Sequence, residues 1–258
     1  MAQVHPTAVV HPGARLHETV EVGPYSVIGA RVVIGAGSRV GPHVVIDGRT
    51  TLGERNRIFP FAAVGGAPQD LKYAGEDTEL ILGDGNTIRE SATLNIGTAG
   101  GGGVTRVGDN NLFMAYSHVA HDCRVGNGCV VANGVALAGH VFVEDFVILG
   151  GLSAVHQFTR LGKHSFIAGG SMVTMDVPPY CTAQGDRAEL AGLNVVGLQR
   201  HGFSEEQIGR IKEAYKILFR SKLVLGEAVA RLKAELGGQS EIDYLVDFVN
   251  QSKRGLTR

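Results

Sequence analysis

An apolar side chain recurs every six residues along most of this chain. The series runs Val4, Val10, Leu16, Val22, Ile28, Ile34, Val40, Ile46, Leu52, Ile58 and Val64, then Leu82, Ile88 and Leu94, then Val107, Phe113, Val119 and on at the same step to Val173. A second small or branched residue stands two places earlier, as at Ser26, Val32, Ser38, Val44, Ser117, Cys123, Cys129 and Val135. Glycine often follows the apolar position, as at Gly23, Gly29, Gly35 and Gly41. A step of six is neither the 3.6 of a helix face nor the alternation of a long strand, so it predicts short strands broken by regular turns. Three hexads close an 18-residue triangular coil, and coils stacked at about 4.8 Å turn the apolar files into a continuous internal column. The twenty-six repeat positions predict close to nine coils in a prism about 40 Å tall. The fold class is mainly β, a parallel β-helix; periodicity leaves its handedness open.

The frame is interrupted twice. Between Val64 and Leu82, GGAPQDLKYAGEDTE lacks the pattern yet preserves the frame, which marks an excursion and a loop candidate for function. Between Leu94 and Val107 the step of 13 breaks the frame by one, and its GTAGGGG reads as a mobile bulge. The repeat ends at Val173 and Pro178-Pro179 mark a boundary. Beyond it, Ser204 with Gln207 reads as a capping box ahead of a helix carrying Ile208, Ile211, Ala214, Tyr215 and Leu218 on one face, and further helices are predicted near 226–236 and 242–252. The chain divides into a solenoid over 1–187 and a helical domain over 188–258. Arg210, Lys212, Lys216, Arg220 and Lys222 make the tail locally basic, either a solvated face or a surface for an acidic partner.

Composition narrows the function. Glycine, 37 of 258 residues, is about twice its ordinary usage, as the turns require. With 24 Lys plus Arg against 25 Asp plus Glu, no basic excess exists to bind nucleic acid. Cys123, Cys129 and Cys181 form no CxxC pair and an odd count, which argues against a disulfide scaffold and a Cys-rich zinc site. No apolar run approaches a transmembrane segment, and MAQVHPTAVVHPGARL lacks a secretory leader pattern, so a cytoplasmic protein is expected.

Four of the ten histidines, His118, His121, His140 and His156, fall in one stretch. Residues 18 apart share a file on adjacent coils, so His121, Gly139 and Gln157 stack, as do Asp122, His140 and Phe158. A base, a glycine amide and a carboxylate therefore converge. Asp122 suits the task of holding the His121 imidazole in one tautomer, and Gly139 that of offering a bare amide. Singly, each also reads as a surface histidine, a turn aspartate and a turn glycine, and spacing does not choose between these. A base open to bulk water is a poor catalyst; cover by a neighbouring copy, as in a closed ring of prisms, is the expected remedy.

The strings APQDLKYAGEDT, IRESATLNIGT, SHVAHDCRVGNGCVVANGVALAGHVFVEDF, AVHQF, DVPPYCTAQG and RHGF, in that order along nearly the whole chain, resemble the acyl-[acyl-carrier-protein]:UDP-N-acetylglucosamine O-acyltransferases. That resemblance implies a left-handed β-helix with an α-helical C-terminal domain, a cytoplasmic homotrimer and no cofactor or metal. The implied activity moves an (R)-3-hydroxyacyl chain from acyl carrier protein to the glucosamine 3-position of UDP-N-acetylglucosamine, at the start of lipid A synthesis. On the matching positions, His121 is the general base, Asp122 its orienting partner and Gly139 the oxyanion donor. Gln69, Asp70, Lys72, His118, His140, Gln157, Asn194 and Arg200 contact substrate, Gly169 and Gly170 lie along the acyl groove, and the basic tail receives the carrier protein. Asn95, Ile96, Val196 and His201 depart from the family pattern and leave a 3-hydroxyl or a 3-amino acceptor open. Competing readings are an N-acyltransferase of the same solenoid group, a zinc enzyme resembling γ-type carbonic anhydrases through the HxxH at His118 and His121, and a noncatalytic scaffold, which would want a repetitive Thr-rich face.

Overall fold

The computed structural model describes residues 2–258. Each hexad forms a strand, most of only two residues, because the turn that follows takes the remaining positions. Every strand pairs in parallel with the one a full coil later. Val4 lies beside Val22 and Val9 beside Val27, eighteen positions on. Twenty-six strands, from Gln3–Val4 to Met172–Val173, fall into three sheets that form the prism's faces. Face A begins at Gln3–Val4, face B at Val9–Val10 and face C at Arg15–Leu16. The chain turns three corners per coil, from A to B, B to C and C to A.

Both inward positions of each hexad are buried from the second coil onward: Ile28, Ile46, Leu82, Phe113, Leu137 and Ile167 in one set, Ser26, Val44, Leu80, Val135 and Ser171 in the other. Each large aliphatic removed from water contributes about 1.5–3 kcal/mol. On face A the second position also holds Asn56, Asn86 and Asn111, which the small-or-branched rule did not foresee. They form a ladder: Asn86 Nδ2 donates to Asn56 Oδ1 at 3.2 Å and Asn111 Nδ2 to Asn86 Oδ1 at 2.9 Å. Stacked amides satisfy one another, so the interior tolerates them. Cys123 and Cys129 are buried free thiols, both pushed up to about 12 chiefly by burial, and so serve packing rather than nucleophilic chemistry.

The register measures the interruptions. Val64 pairs with Leu94, thirty positions on instead of eighteen, so twelve residues are looped out; Leu94 pairs with Val119, twenty-five on, so seven are. Both loops leave face B and return on face C, so both replace the same corner.

The column's far end is closed by an antiparallel hairpin, Cys181–Gln184 with Glu189–Leu193, and residue 187 lies in its turn. Helix α1 (Val195–Arg200), short and not foreseen, follows. Helix α2 (Glu205–Tyr215) starts at the expected capping box of Ser204 and Gln207 and runs into a wide π-type turn over Lys216–Arg220. Helices α3 (Leu225–Leu236) and α4 (Ser240–Gln251) complete a second core around Leu198, Ile211, Leu232, Ile242 and Phe248. The tail's charge is less free than its sequence implied. Arg210 is held by Glu206 and Glu241, each at 2.7 Å, and exposed Arg220 donates to Tyr215 Oη at 2.8 Å, which leaves Lys212, Lys216 and Lys222 as the cations of that group with no side-chain partner among the described residues. Among the described residues, no helix is long and apolar enough to cross a membrane.

Candidate active site

His121 and Asp122 occupy the B-to-C corner between strands His118–Val119 and Arg124–Val125; one coil on, Gly139 and His140 occupy the same corner. Asp122, His140 and Phe158 share a left-handed backbone with φ of 60°, 60° and 64°, the conformation that turns the chain from one face to the next. A residue other than glycine accepts this at about 1 kcal/mol, and the corner file gains a stack in return: the His140 and Phe158 rings lie 4.4 Å apart, with His121 edge-on to His140 at 5.2 Å.

The Asp122 side chain is 0% exposed and that of His121 14%. His121 Nδ1 lies 2.8 Å from Asp122 Oδ2. An ionised carboxylate only accepts, so in the neutral ring Nδ1 carries the proton and Nε2 the lone pair. Gly139 packs directly on this ring. A Cβ built there would stand 2.6 Å from His121 Cε1 and 2.7 Å from Nε2, so only glycine leaves the ring in this position. Its N–H finds no acceptor among the described residues.

The seven-residue insertion is not a loose bulge. Thr98 N–H donates to Asp122 Oδ1 at 2.9 Å and Thr98 Oγ–H to Oδ2 at 2.6 Å, while Thr105 Oγ accepts from the Asp122 N–H at 2.8 Å. Two of its glycines, Gly97 and Gly101, serve crowding: a Cβ at Gly101 would fall 2.0 Å from the Asp122 carboxyl carbon. Sequence reasoning missed Thr98 and Thr105. The signal was the frame shift itself, one coil before His121 on the same corner.

The longer loop closes over this corner. Asp70 Oδ1 accepts from Lys72 N–H at 3.0 Å, and Asp70, Lys72, Tyr73 and Glu76 share a cavity of about 390 Å³ with Gly100, Gly101, His140 and Phe158. His140 is held below its ordinary value by burial, against the pull of Asp122 and Asp70, and His118 by burial and its neighbour His121, so both sit neutral near pH 7. His118 Nδ1 pairs with Thr93 Oγ at 2.7 Å and takes no part in a metal-compatible group with His121. His121, Asp122 and His140 bring ligand atoms within 4.8 Å of one another, a spacing a metal ion could bridge, while both Asp122 oxygens and His121 Nδ1 also carry hydrogen bonds within the chain.

Gln157 continues the same corner and is exposed, as is Gln69 on the loop. The remaining expected residues are elsewhere in the chain. Gly169 and Gly170 lie on the A-to-B corner, where Gly170 adopts φ +69° with open space around it. Asn194 caps α1 through Gly197 N–H at 3.1 Å and donates to His164 O at 3.0 Å; exposed Arg200 ends that helix. His201 joins Phe146, His164 and Phe203 in an aromatic cluster at the C-to-A corner, and Val196 is exposed. One chain thus assembles His118, His121, Asp122, Gly139, His140, Asp70 and Lys72, and leaves Gly169, Gly170, Asn194 and Arg200 apart from them.

Residues 176–257 match the family described as Udp N-acetylglucosamine O-acyltransferase; Domain 2, and residues 13–48 and 105–139 the bacterial transferase hexapeptide. The chain is 76% identical, over the whole of both sequences, to the acyl-[acyl-carrier-protein]--UDP-N-acetylglucosamine O-acyltransferase of Myxococcus xanthus. It belongs to the UDP-N-acetylglucosamine O-acyltransferase family. The namesake from Anaeromyxobacter dehalogenans is 60% identical over 99% of both chains. The solved UDP-N-acetylglucosamine O-acyltransferase of Moraxella catarrhalis superposes with a TM-score of 0.96 at 43% identity over 99% of both chains, and that of Arabidopsis with 0.88 at 36% over 99% of this chain and all of the other. These members fix the fold as a left-handed parallel β-helix with a helical C-terminal domain.

Proposed function

We propose that this protein transfers a 3-hydroxyacyl chain from acyl carrier protein to the 3-position of UDP-N-acetylglucosamine, the reaction that begins lipid A synthesis, without metal or cofactor. The observation that carries the proposal is the Asp122–His121–Gly139 arrangement. His121 Nε2, left unprotonated by the Nδ1 bond to Asp122, removes the proton of the sugar 3-hydroxyl as its oxygen attacks the thioester carbonyl. The oxygen that gains charge accepts from the Gly139 N–H. Collapse of the tetrahedral intermediate breaks the carbon–sulfur bond, and the departing thiolate takes the proton back from Nε2. Asp70, Lys72, His118, His140 and Gln157 bind substrate around this corner, with Gln69 at the acyl entrance.

The other expected residues reach the site from a second copy. Of the three faces, only B is uncharged along its outward file: Val9, Val27, Val45, Ala63, Thr93, His118, Ala136, Ala154 and Met172, whereas face A carries Glu21, Arg39 and Arg57 and face C Arg15, Arg106, Arg124 and Arg160. The A-to-B corner beside it presents Tyr25, Phe61, Tyr116 at 73% exposure and Leu152 at 72%. An apolar face flanked by an apolar ridge marks an interface. In a closed ring with face B toward the axis, the B-to-C corner of one copy meets the A-to-B corner of the next. A homotrimer built this way covers the His121 corner with the next copy's A-to-B corner, on which Gly169 and Gly170 stand three coils further along the column, makes the acyl groove along that seam and excludes water. Lys212, Lys216 and Lys222 offer the acidic carrier protein a surface, and the cytoplasm, where its donors are made, is the proposed location. Replacing His121 with Ala should cost about 10² or more in rate; a near-normal rate would remove the proposal.

A further inference from the structure

We infer that Thr98 is a positioning residue for the catalytic base, and that the insertion from Gly97 to Gly103 exists to hold it there. The inference rests on the reading of His121 as base. A merely flexible bulge would need no crowding, yet Cβ atoms at Gly97 and Gly101 would fall 2.9 Å from Asp122 Oδ1 and 2.0 Å from its carboxyl carbon. The insertion is folded onto the carboxylate, and Thr98 meets it with two donors, one on each oxygen. Oδ2 is shared: Thr98 Oγ–H at 2.6 Å and His121 Nδ1–H at 2.8 Å bind the same atom. Thr98 therefore fixes the plane of the carboxylate, and so the direction in which His121 Nε2 points. It also draws off part of the negative charge that would otherwise stabilise the imidazolium. The other titratable and charged groups facing this pair are His118 and His140 on neighbouring strands and turns, buried Cys123 beside Asp122, and Asp70, Lys72 and Glu76 on the loop across the cavity.

The test compares Thr98→Val, which keeps shape and backbone N–H but lacks the hydroxyl, with Thr98→Ser, which restores it. Thr98→Val should lower kcat roughly tenfold, with KM changed less than about threefold, and move the acid limb of kcat/KM to higher pH by about half a unit. Thr98→Ser should restore both to within about threefold. Nitrogen-15 NMR of labelled His121 supplies a readout independent of turnover: a protonated Nδ1 in the native protein, and a titration displaced upward in Thr98→Val. Displacement of that titration without a change in the rate profile would uphold the role of Thr98 and sink that of His121 as base. An unmoved titration, or a Thr98→Val loss that only tracks a lower folded fraction, would reduce Thr98 to a loop staple and overturn the inference.

Discussion

A methyl group on Gly139 is the smallest perturbation that reaches the proposed chemistry. Its Cβ would lie 2.6 Å from His121 Cε1 and 2.7 Å from Nε2, where an unstrained carbon contact needs about 3.5 Å. The imidazole must therefore retreat by nearly 1 Å, either stretching its 2.8 Å bond to Asp122 or rotating Nε2 away from the acceptor. Displacement on that scale costs about 10² in rate. Stability should hardly change, because Gly139 is not among the positive-φ residues and the group it meets is a side chain at 14% exposure that can yield outward. Gly139→Ala should thus show kcat reduced about a hundredfold, with a thermal midpoint within a few degrees of the parent, in an assay of acyl transfer from 3-hydroxyacyl carrier protein. A normal kcat would refute the register of base and amide.

Three further outcomes follow from the same geometry. Asp122→Asn turns an acceptor into a group that is half donor, opposite Thr98 and His121, all of whose contacts donate; kcat should fall by roughly 10² or more with the protein still folded, and an unchanged kcat would contradict the tautomer argument. Val45→Asp places a charge on the neutral face B and should dissociate the assembly in sedimentation velocity, while Arg39→Asp on face A should not; an intact Val45→Asp oligomer would contradict the proposed interface. His164, buried with His201 and Lys163 nearby, is pushed down to about 4, whereas the unfolded chain protonates it near 6.5. The stability it contributes is complete above about pH 6.5 and is lost as pH falls toward 4. The urea midpoint of His164→Phe should then decline less than the parent's between pH 7 and 5, and parallel declines would show that His164 is not the group that titrates.

The solenoid was legible because its information is periodic: each apolar file repeats the same demand at every coil, and Val9 beside Val27 merely enacts the step of eighteen. Convergence of His121, Gly139, Asp122 and His140 followed from the same arithmetic. What the repeat did not encode was harder. The Asn56, Asn86 and Asn111 ladder is visible only once three polar residues are seen to share one buried file, where they satisfy each other. Glycine at 97 and 101 signals flexibility in isolation, but here it makes room for a carboxylate. Helix α1 is a six-residue element set by one Asn194 cap, too short for any periodicity. The tail's charge is less free than its sequence implies because Glu206 meets Arg210 one turn away within α2, and Glu241 joins it only after α2 and α4 pack.

Whether the site is completed by a neighbour can be measured by mixing two disabled proteins, His121→Ala, which lacks the base, and Gly169→Trp, which blocks the groove on the opposite corner. Each alone should be nearly inactive. Co-refolded at equal amounts, with mixed trimers confirmed in the population, the whole sample should regain about one quarter of the parental activity, because that share of seams in random assembly joins an intact His121 corner to an intact Gly169 corner. Mixed trimers that stay inactive would contradict the account.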